Sequence, residues 1–288
     1  MYVLLRDNYV EDDSGTLRFD YSKEFLLWAL NPPNAKIEWT LGIRESKSNE
    51  LVGFGSGVPI TMNSRGVDVP MALTNFLCLK KNIRQHKGLT PLILAEGIRR
   101  AEISDVLQLV FTSGKILPTP FASPMYWYRD LNPEKTLHIG YSAKPMHLSL
   151  EEYYCINHVP ENIVIDLRPM TQADVPQVTI LMNKQMRELY EFSVIFTEQD
   201  VSHWLLPRPD VVYSYVCCDG DQVTDMVSYY NLSSTVMGND LYNNIKCAYA
   251  WYSFAKDNSA ERTIQLFWDA LVLAKRNGFD SFNATEVC

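Results

Sequence analysis

The sequence predicts an α+β protein that contains the same kind of unit twice. A helix, three strands in a meander, a second helix and a further strand follow one another two times along the 288 residues. Composition agrees, because 47% hydrophobic and 12% aromatic residues suffice for one large core or two moderate ones. We therefore expect a duplicated α+β unit with halves at residues 1–144 and 145–288.

The first half opens with a predicted amphipathic helix over residues 21–30, which begins after Ser22 and ends at an Asn-Pro-Pro sequence. A second helix over 91–103 carries Pro91 in its first turn, where the missing N–H costs nothing. A strand over 106–112 ends the half. Three strand-like runs between the helices form the meander: 37–44, 51–60 and 67–79.

The second half repeats this order with a longer final helix. Thr171 and Asp174 have the spacing of a capping box ahead of a helix over 175–188. The last helix, over 261–276, ends at Gly278. The strands of this half are predicted at 211–218, 223–230, 246–254 and 279–284.

Charge and cysteine spacing exclude several classes of function. A net charge of −8 argues against a nucleic-acid partner and suits basic peptides or proteins. The six cysteines form no C-x-x-C pair and have no histidine at zinc spacing, so we expect reduced thiols and no metal. No Ser-His-Asp or Cys-His set can be assembled from the five histidines. Charged residues follow the first few apolar ones directly, so we expect a soluble, cytoplasmic protein without a membrane segment.

A phosphate site is predicted where the strand 74–79 leads through a glycine turn into the helix that follows. A strand, a glycine turn and a helix N-terminus bring free backbone N–H groups and the positive end of a helix dipole to one point. The spacing Gln85-x-x-Gly88-x-Thr90 resembles the pyrophosphate loop of the acyl-CoA-dependent N-acyltransferase (GNAT) superfamily. The basic residues nearby, which would suit several phosphate charges, are Lys80, Lys81, Arg84 and Lys87.

Many unusual residue combinations across the chain closely resemble N-myristoyltransferase. They are found at 9–13, 18–22, 24–30, 75–78, Thr112 with Gly114, 126–127, 131–133, 269–275, 278–280 and 282–284. The resemblance implies two tandem GNAT-like units with a mixed, saddle-shaped central sheet flanked by helices. It also implies transfer of myristate from myristoyl-CoA to the amino group of an N-terminal glycine. The first half would hold acyl-CoA and the second would supply much of the peptide groove.

The resemblance implies roles for individual residues of the first half. The backbone N–H groups of Phe76 and Leu77 match the oxyanion hole, which would stabilise the negative charge that thioester attack places on oxygen. Asn75 and Thr112 match residues that hold the glycine amine. The residues that match the acyl-CoA contacts are Leu79, Arg84, Gln85, His86, Lys87, Gly88, Leu89, Thr90 and Pro91.

Further positions match the peptide groove of the family. Glu11, Asp12 and Asp13 match an acidic segment that faces basic residues of the peptide. Tyr128 stands where the family commonly has histidine, so peptide preference is expected to differ. The remaining matched positions are Val10, Phe19, Tyr21, Tyr126, Ser234, Tyr249 and Asn283.

The catalytic base is open at this point. The family uses its C-terminal carboxylate to take the proton of the glycine ammonium, and it normally has an additional N-terminal segment that wraps acyl-CoA. This sequence matches neither segment. An amine with a pKa of about 8 is mostly protonated at neutral pH, so a base is required. The candidates are the carboxylate of Cys288, Glu286, or water relayed through Thr112.

Two other functions remain alternatives to acyl transfer onto glycine. A binding module would retain acyl-CoA or an acylated peptide without turnover. A general acetyl-CoA-dependent N-acetyltransferase would prefer short acyl donors over long ones. The expected partners are acyl-CoA and proteins or peptides with an N-terminal glycine, with no nucleic acid, and a homodimer is kept as a further option.

Overall fold

The computed structural model describes residues 1–114 and 116–286. Eight α-helices lie within these residues: α1 Tyr2–Asn8, α2 Lys23–Leu30, α3 Leu89–Ile103, α4 Pro133–His138, α5 Leu150–Ile156, α6 Val175–Leu189, α7 Glu198–Leu205 and α8 Ala260–Arg276. The same residues contain fourteen strands: β1 Leu17–Phe19, β2 Thr40–Arg44, β3 Leu51–Ser64, β4 Val67–Leu79, β5 Gln108–Phe111, β6 Tyr126–Asp130, β7 Arg168–Pro169, β8 Phe192–Ile195, β9 Val212–Asp219, β10 Gln222–Asn231, β11 Ser234–Val236, β12 Asn244–Ile245, β13 Cys247–Phe254 and β14 Ser281–Thr285. No helix of the described chain is both long and apolar enough to cross a membrane.

The chain divides into two compact units whose segments alternate along the sequence. Unit 1 contains residues 1–10, 21–120 and 183–204, and unit 2 contains 11–20, 121–182 and 205 onward. The α+β class and the two units with mixed sheets are confirmed. The division into halves at residue 144 stays a prediction.

Unit 1 is built on one mixed sheet with the strand order β2-β3-β4-β5, and β8 pairs with β3. The first three strands form the predicted antiparallel meander, and β5 runs parallel to β4. Helix α3 connects these last two strands, and its Ile93 packs with Leu41 and Leu79 in a buried cluster. A second buried cluster joins Trp39 and Ala72 to the end of this helix.

Unit 2 contains a six-stranded sheet with the order β6-β14-β13-β10-β9-β7 and a three-stranded sheet with the order β1-β11-β12. Strands β13 and β14 are parallel, and α8 connects them. The main core lies between this helix and the sheet, where Tyr229, Leu266 and Phe282 are almost fully buried. Each unit therefore has a strand, a helix and a parallel strand in succession.

The predicted helix starts are confirmed by their capping residues. The Ser22 hydroxyl accepts a hydrogen bond from the Phe25 backbone N–H at 3.0 Å, and α2 begins next to it. Thr171 and Asp174 form the reciprocal capping box, which opens a short 3₁₀ turn ahead of α6. At the other end of a helix, Gly278 has φ +76°, which explains why glycine follows α8.

Several predicted boundaries differ from the structure. Residues 37–39 form a 3₁₀ turn, not the start of a strand, because the Trp39 N–H bonds back to the Lys36 carbonyl and its ring is buried. The strand expected at 51–60 continues to Ser64, where β8 pairs with it. Helix α3 begins at Leu89, so Thr90 and Pro91 lie inside its first turn. The strand expected over 106–112 is shorter, and Phe111 at its end is exposed.

Candidate functional site

Strand β4 of unit 1 carries a β-bulge at Phe76 and Leu77. Phe54 pairs with Cys78 and Ser56 pairs with Asn75, so the two intervening residues of β4 lie opposite the single residue Gly55. A β-bulge inserts an extra residue that is left out of the regular pairing, and it redirects the backbone groups at that point. The bulge thus occurs at the two residues whose N–H groups are expected to form the oxyanion hole.

Phe76 has a left-handed backbone with φ +56°. This conformation costs a residue with a Cβ about 1–2 kcal/mol, and it persists only where the surroundings enforce it. The Phe76 side chain is buried, and its ring centroid lies 5.2 Å from that of Tyr21 and 6.1 Å from that of Tyr9. Packing of the aromatic rings therefore holds the bulge in its unusual geometry.

Glycine at position 55 lets helix α3 approach the bulge closely. A Cβ at Gly55 would lie 2.8 Å from Ile93 Cγ2 and 3.6 Å from Leu77 Cδ1. A side chain at this position would push the helix away from the strand. The start of α3 is therefore held close to the bulge.

The parallel register of β4 and β5 brings Asn75 and Thr112 together. The last paired residues of the two strands are Thr74 and Phe111, and the predicted residues come next on each strand. Thr112 is exposed and Asn75 is half-buried. The two residues expected to hold the glycine amine thus follow the last pair directly, and Asn75 immediately precedes the bulge.

The loop between β4 and α3 leaves backbone amides open. Gly88 is the N-cap of α3, no side chain caps this end, and no acidic residue lies in the first turn. In the part of the chain that the structure describes, the N–H groups of Lys87 and Gly88 have no hydrogen-bond partner. Gln85, His86 and Lys87 are exposed around them. Open amides, a helix N-terminus and a basic side chain suit a phosphate group.

Arg84 and Leu79 are both expected to contact acyl-CoA, but their side chains make contacts within the protein. The Arg84 guanidinium donates from Nε to the Leu79 carbonyl at 3.0 Å and from Nη2 to the Asn8 carbonyl. The Leu79 side chain is buried with Ile93, so only its backbone faces the loop. Arg84 therefore shapes the loop with two of its donors.

Three predicted groove residues of unit 2 form one row across the large sheet. Asn283 of β14 pairs with Tyr128 of β6 on one side and with Tyr249 of β13 on the other. Tyr230 of β10 continues the row, with its ring stacked 5.6 Å from that of Tyr249. Tyr126 packs edge to face on Tyr249 with centroids 6.0 Å apart. The row therefore presents a tyrosine-rich surface.

Asn283 is held by its neighbours within the row. Its Oδ1 accepts a hydrogen bond from the Tyr141 hydroxyl at 3.1 Å, and its Nδ2 donates to the Ala248 carbonyl at 3.3 Å. The Tyr141 ring in turn packs edge to face on Tyr128, with centroids 5.5 Å apart. Tyr128 stands where the family commonly has histidine. Tyr141 thus contacts the Tyr128 ring and also bonds to the Asn283 amide.

Phe19 and Ser234 are direct partners in the small sheet of unit 2. The acidic segment beside them is partly engaged, because Glu11 forms an ion pair with Arg18 at 3.2 Å. Asp12 Oδ1 accepts a hydrogen bond from the Leu17 backbone N–H at 2.7 Å, within a tight turn. Asp13 is exposed.

Three further predicted residues remain to be placed. Val10 and Tyr21 belong to unit 1, not to the unit that contains the rest of the peptide set. Glu286 exchanges hydrogen bonds with the backbone of Met125, one of them from the Met125 N–H to Oε1 at 3.2 Å. Cys288, the first candidate for the base, lies outside the described residues.

Tyr9 is a site residue that sequence reasoning missed as an individual position. Its ring centroid lies 5.6 Å from that of Tyr21 and 6.1 Å from that of Phe76, and burial raises its pKa to about 12. The run Tyr9–Asp13 pointed to this region, but only the acidic residues suggested chemistry.

The possible metal ligands and the cysteines of the described residues can be located directly. Residues 1–114 and 116–286 contain no group of three or more His, Cys, Asp or Glu side chains that could hold a metal ion. Over the same ranges the cysteines are free thiols, and burial raises the pKa of Cys78 to about 11. A neutral Cys78 thiol is a poor nucleophile.

Comparison with protein families and known structures gives one consistent result. The N-terminal domain of Myristoyl-CoA:protein N-myristoyltransferase matches residues 1–124, and the C-terminal domain of the same family matches residues 138–288. Structures of one class of acyltransferase cover almost the whole chain. Saccharomyces cerevisiae N-myristoyltransferase with bound myristoyl-CoA superposes with a TM-score of 0.92 at 31% identity, over 99% of this chain and 69% of that one.

The relatives with curated names agree. Glycylpeptide N-tetradecanoyltransferase 1 of Arabidopsis thaliana is 42% identical over 100% of this chain and 66% of its own length. Glycylpeptide N-tetradecanoyltransferase of Plasmodium falciparum is 38% identical over 100% of this chain and 69% of its own length. The chain thus spans about two thirds of the length of these relatives. It belongs to the N-myristoyltransferase family.

Proposed function

We propose that this chain transfers a myristoyl or related fatty acyl group from acyl-CoA to the α-amino group of an N-terminal glycine. The curated relatives are named glycylpeptide N-tetradecanoyltransferases, and the matching yeast structure contains myristoyl-CoA. In this proposal the amine attacks the thioester carbonyl directly, the C–S bond breaks, and free CoA leaves. The enzyme forms no covalent acyl intermediate.

The bulge in β4 is the observation that carries the proposal. Attack on a thioester turns its carbonyl oxygen into an oxyanion, and fixed backbone N–H groups stabilise this charge without reorganising. The left-handed Phe76 redirects the backbone at two residues that an ordinary strand would use for pairing. A strained backbone held by buried aromatic rings is the kind of feature that functional sites retain.

Asn75 and Thr112 would hold the amine beside this oxyanion hole. Each presents a hydrogen-bonding side chain at the end of the paired region of neighbouring strands. The ammonium must lose a proton before it attacks. The carboxylates of Cys288 and Glu286 and water relayed through Thr112 remain the proposed routes for that proton.

The loop before α3 would bind the CoA phosphates. The open N–H groups of Lys87 and Gly88 and the N-terminus of α3 support this assignment. Among the side chains, Lys87 suits a phosphate better than Arg84, because two Arg84 donors already bind backbone carbonyls.

The peptide would contact the tyrosine-rich row and the Phe19–Ser234 pair of unit 2. A net charge of −8 supports basic peptides with an N-terminal glycine as substrates. Free thiols at the described cysteines fit a reducing compartment, so we place the reaction in the cytoplasm.

The test is free-CoA release from myristoyl-CoA in the presence of a peptide that begins with glycine and carries lysines downstream. We expect turnover that disappears when alanine replaces the first glycine. Thr112→Ala should lower kcat/KM for the peptide about tenfold, which corresponds to the loss of one hydrogen bond worth about 1.4 kcal/mol. Saturable myristoyl-CoA binding without CoA release would contradict transfer and select the binding module. Faster turnover with acetyl-CoA would select a general acetyltransferase.

A further inference from the structure

The loop between β4 and α3, which is proposed to bind the CoA phosphates, has hydrogen bonds of its own in consecutive turns. A 3₁₀ turn at Lys81–Ile83 opens the loop, and the His86 N–H donates to the Ile83 carbonyl at 3.0 Å. The Leu89 N–H then donates to the His86 carbonyl at 3.2 Å. These bonds fix the shape of the loop, but they join only its own residues and the first residue of α3. Its position within unit 1 therefore depends on contacts with other elements.

One such contact comes from Asn8, the last residue of α1. The Asn8 Oδ1 atom accepts a hydrogen bond from the Lys81 backbone N–H at 3.0 Å. The Asn8 Nδ2 atom donates to the Leu4 carbonyl at 3.0 Å, so both ends of the amide are engaged. The first bond holds the opening turn of the loop, and the second fixes the orientation of the amide. A single half-buried side chain thus joins the end of α1 to the start of the phosphate loop.

The backbone of Asn8 makes a second connection to the same loop. Its carbonyl accepts hydrogen bonds from the Arg84 guanidinium and from the Cys78 thiol, the latter at 3.6 Å. The Nε atom of Arg84 also donates to the Leu79 carbonyl at 3.0 Å. Arg84 therefore connects the loop to the end of α1 and to the end of β4. The loop is thus held at two points, at Lys81 by the side chain of Asn8 and at Arg84 by its backbone.

An asparagine at the end of another helix of unit 1 separates the two bonds of the Asn8 amide. Asn31 follows α2, and its Nδ2 atom donates to the Leu27 carbonyl at 2.8 Å, as Asn8 does to Leu4. Its Oδ1 atom has no hydrogen-bond partner among the described residues. The bond to a carbonyl four residues earlier is therefore a local way to end a helix. The bond from Lys81 to the Asn8 Oδ1 atom is additional and serves the loop.

We infer that Asn8 is a positioning residue for acyl-CoA, because it holds the phosphate loop where the open amides of Lys87 and Gly88 receive a phosphate. This inference rests on the proposed function, since it requires the loop before α3 to bind CoA. A backbone N–H binds a phosphate only at hydrogen-bond distance, so a displacement of the loop by about 1 Å is enough to lose the bond. Without Asn8 the ligand itself would have to order the loop, which lowers affinity.

The experiment is calorimetric titration of the 288-residue chain and of Asn8→Ala with two donors. Myristoyl-CoA and S-myristoyl-pantetheine share the thioester and the acyl chain, but only the first carries phosphates. We expect Asn8→Ala to bind myristoyl-CoA about tenfold more weakly, the effect of about one hydrogen bond. Its affinity for S-myristoyl-pantetheine should equal that of the unaltered chain. A general loss of structure would instead weaken binding of both donors.

The matched control is Asn31→Ala, which removes the corresponding bond at the end of α2. It should change neither affinity, because no loop residue bonds to the Asn31 side chain in the part of the chain that the structure describes. Thermal unfolding of both variants verifies that each is folded.

A second measurement uses only the unaltered chain. If the bond from Lys81 to Asn8 favours donor binding, donor binding must favour that bond by the same factor. Saturating myristoyl-CoA should therefore slow hydrogen exchange of the Lys81 N–H. Equal weakening for both donors, unchanged myristoyl-CoA affinity of Asn8→Ala, or Lys81 exchange that does not respond to the donor would overturn the inference and leave the proposed function standing. Failure of the unaltered chain to bind myristoyl-CoA would overturn both.

Discussion

The two units contain the same succession of bulged strand, helix and parallel strand, but they treat its backbone groups differently. In unit 1, β4 has its bulge at Phe76 and Leu77. In unit 2, β13 has a bulge at Trp251 and Tyr252, between the pairs Tyr229 with Ala250 and Val227 with Ser253. There the Tyr252 N–H donates to the Ser228 hydroxyl, which donates to the Tyr252 carbonyl. Neither residue of that bulge has a positive φ.

The helix starts differ in the same way. The Ser259 hydroxyl caps α8 by accepting from the Arg262 N–H at 3.2 Å, and Glu261 lies in the first turn. The loop before it is anchored by Asp225, which accepts from the Lys256 N–H at 3.0 Å. Helix α3 has Gly88 at its N-cap, without a side-chain cap or an acidic residue. The strand-to-helix junction of unit 2 is closed by its own side chains, whereas the junction of unit 1 is open, with the N–H groups of Lys87 and Gly88 unpaired among the described residues.

The largest expected effect comes from altering Asp225, the buried residue that anchors the loop before α8 in unit 2. Asp225 is fully buried and forms an ion pair with Arg262 at 2.8 Å. Asp225→Asn removes the charge and leaves the guanidinium without its partner, so we expect the free energy of unfolding to fall by about 3 kcal/mol. Urea denaturation measures this loss.

The matched control is Asp219→Asn, which breaks the exposed pair with Lys256 of the same loop. We expect a change of at most about 0.5 kcal/mol there, because exposed pairs contribute little. Equal losses in the two variants would mean that the closed junction does not depend on Asp225.

The next largest effect comes from adding a capping side chain at Gly88, the N-cap of α3 in unit 1. Gly88 has φ −88°, and a Cβ there would meet no atom within 4 Å, so a side chain fits without strain. Gly88→Asp would place a carboxylate at the N-cap of α3, where the helix dipole favours a negative charge and the charge repels phosphates. We expect CoA affinity, measured by calorimetry, to fall about tenfold, while α3 becomes more stable.

Gly88→Asn is the control for the charge. Its side chain has the same shape and also caps helices, but it carries no charge. Its CoA affinity should fall by a smaller factor than that of the aspartate variant. An aspartate variant that binds CoA as well as the original chain would refute the assignment of this loop.

The smallest expected effect concerns the capping box of Thr171 and Asp174, which precedes α6. The Arg168 side chain, with help from Thr171, holds the pKa of Asp174 at about 2, below its usual 3.8. A lowered pKa in the folded state adds stability above pH 3.8, and this stability is lost as the pH falls towards 2.

Arg168 is exposed to solvent along part of its side chain, so we expect only about 1 kcal/mol from this pair. Urea denaturation of the chain and of Asp174→Asn at pH 7 and at pH 2 measures it. The difference between the two should shrink at the lower pH, and a difference that is equal at both would contradict the pairing.

Sequence reasoning predicted those features that depend on nearby residues. The hydroxyls of Ser22 and Thr171 and the glycine at position 278 marked helix ends, and the structure has them there. Short strands such as β1 and β11 escaped prediction, because three residues carry too little periodicity and depend on distant partners. The row of Tyr128, Asn283 and Tyr249 depends on the same long-range register.

The family resemblance supplied the candidate site residues, but it did not supply their geometry. Local propensity assigns a left-handed bulge position to glycine or asparagine, and here phenylalanine occupies it. The contact between the rings of Tyr9 and Phe76 joins residues that lie far apart in the sequence. The sequence also did not predict the hydrogen bonds from Arg84 to backbone carbonyls, because a basic residue near a glycine loop suggests a phosphate ligand.

Hydrogen exchange with and without CoA tests the contrast between the open and closed junctions most directly. CoA carries the phosphates without the acyl chain, so it reports on the loop alone. We expect saturating CoA to slow exchange at residues 84–90, where the amides of Lys87 and Gly88 are unpaired. Exchange at residues 255–260 should stay unchanged. Protection at 255–260, or none at 84–90, would contradict the account.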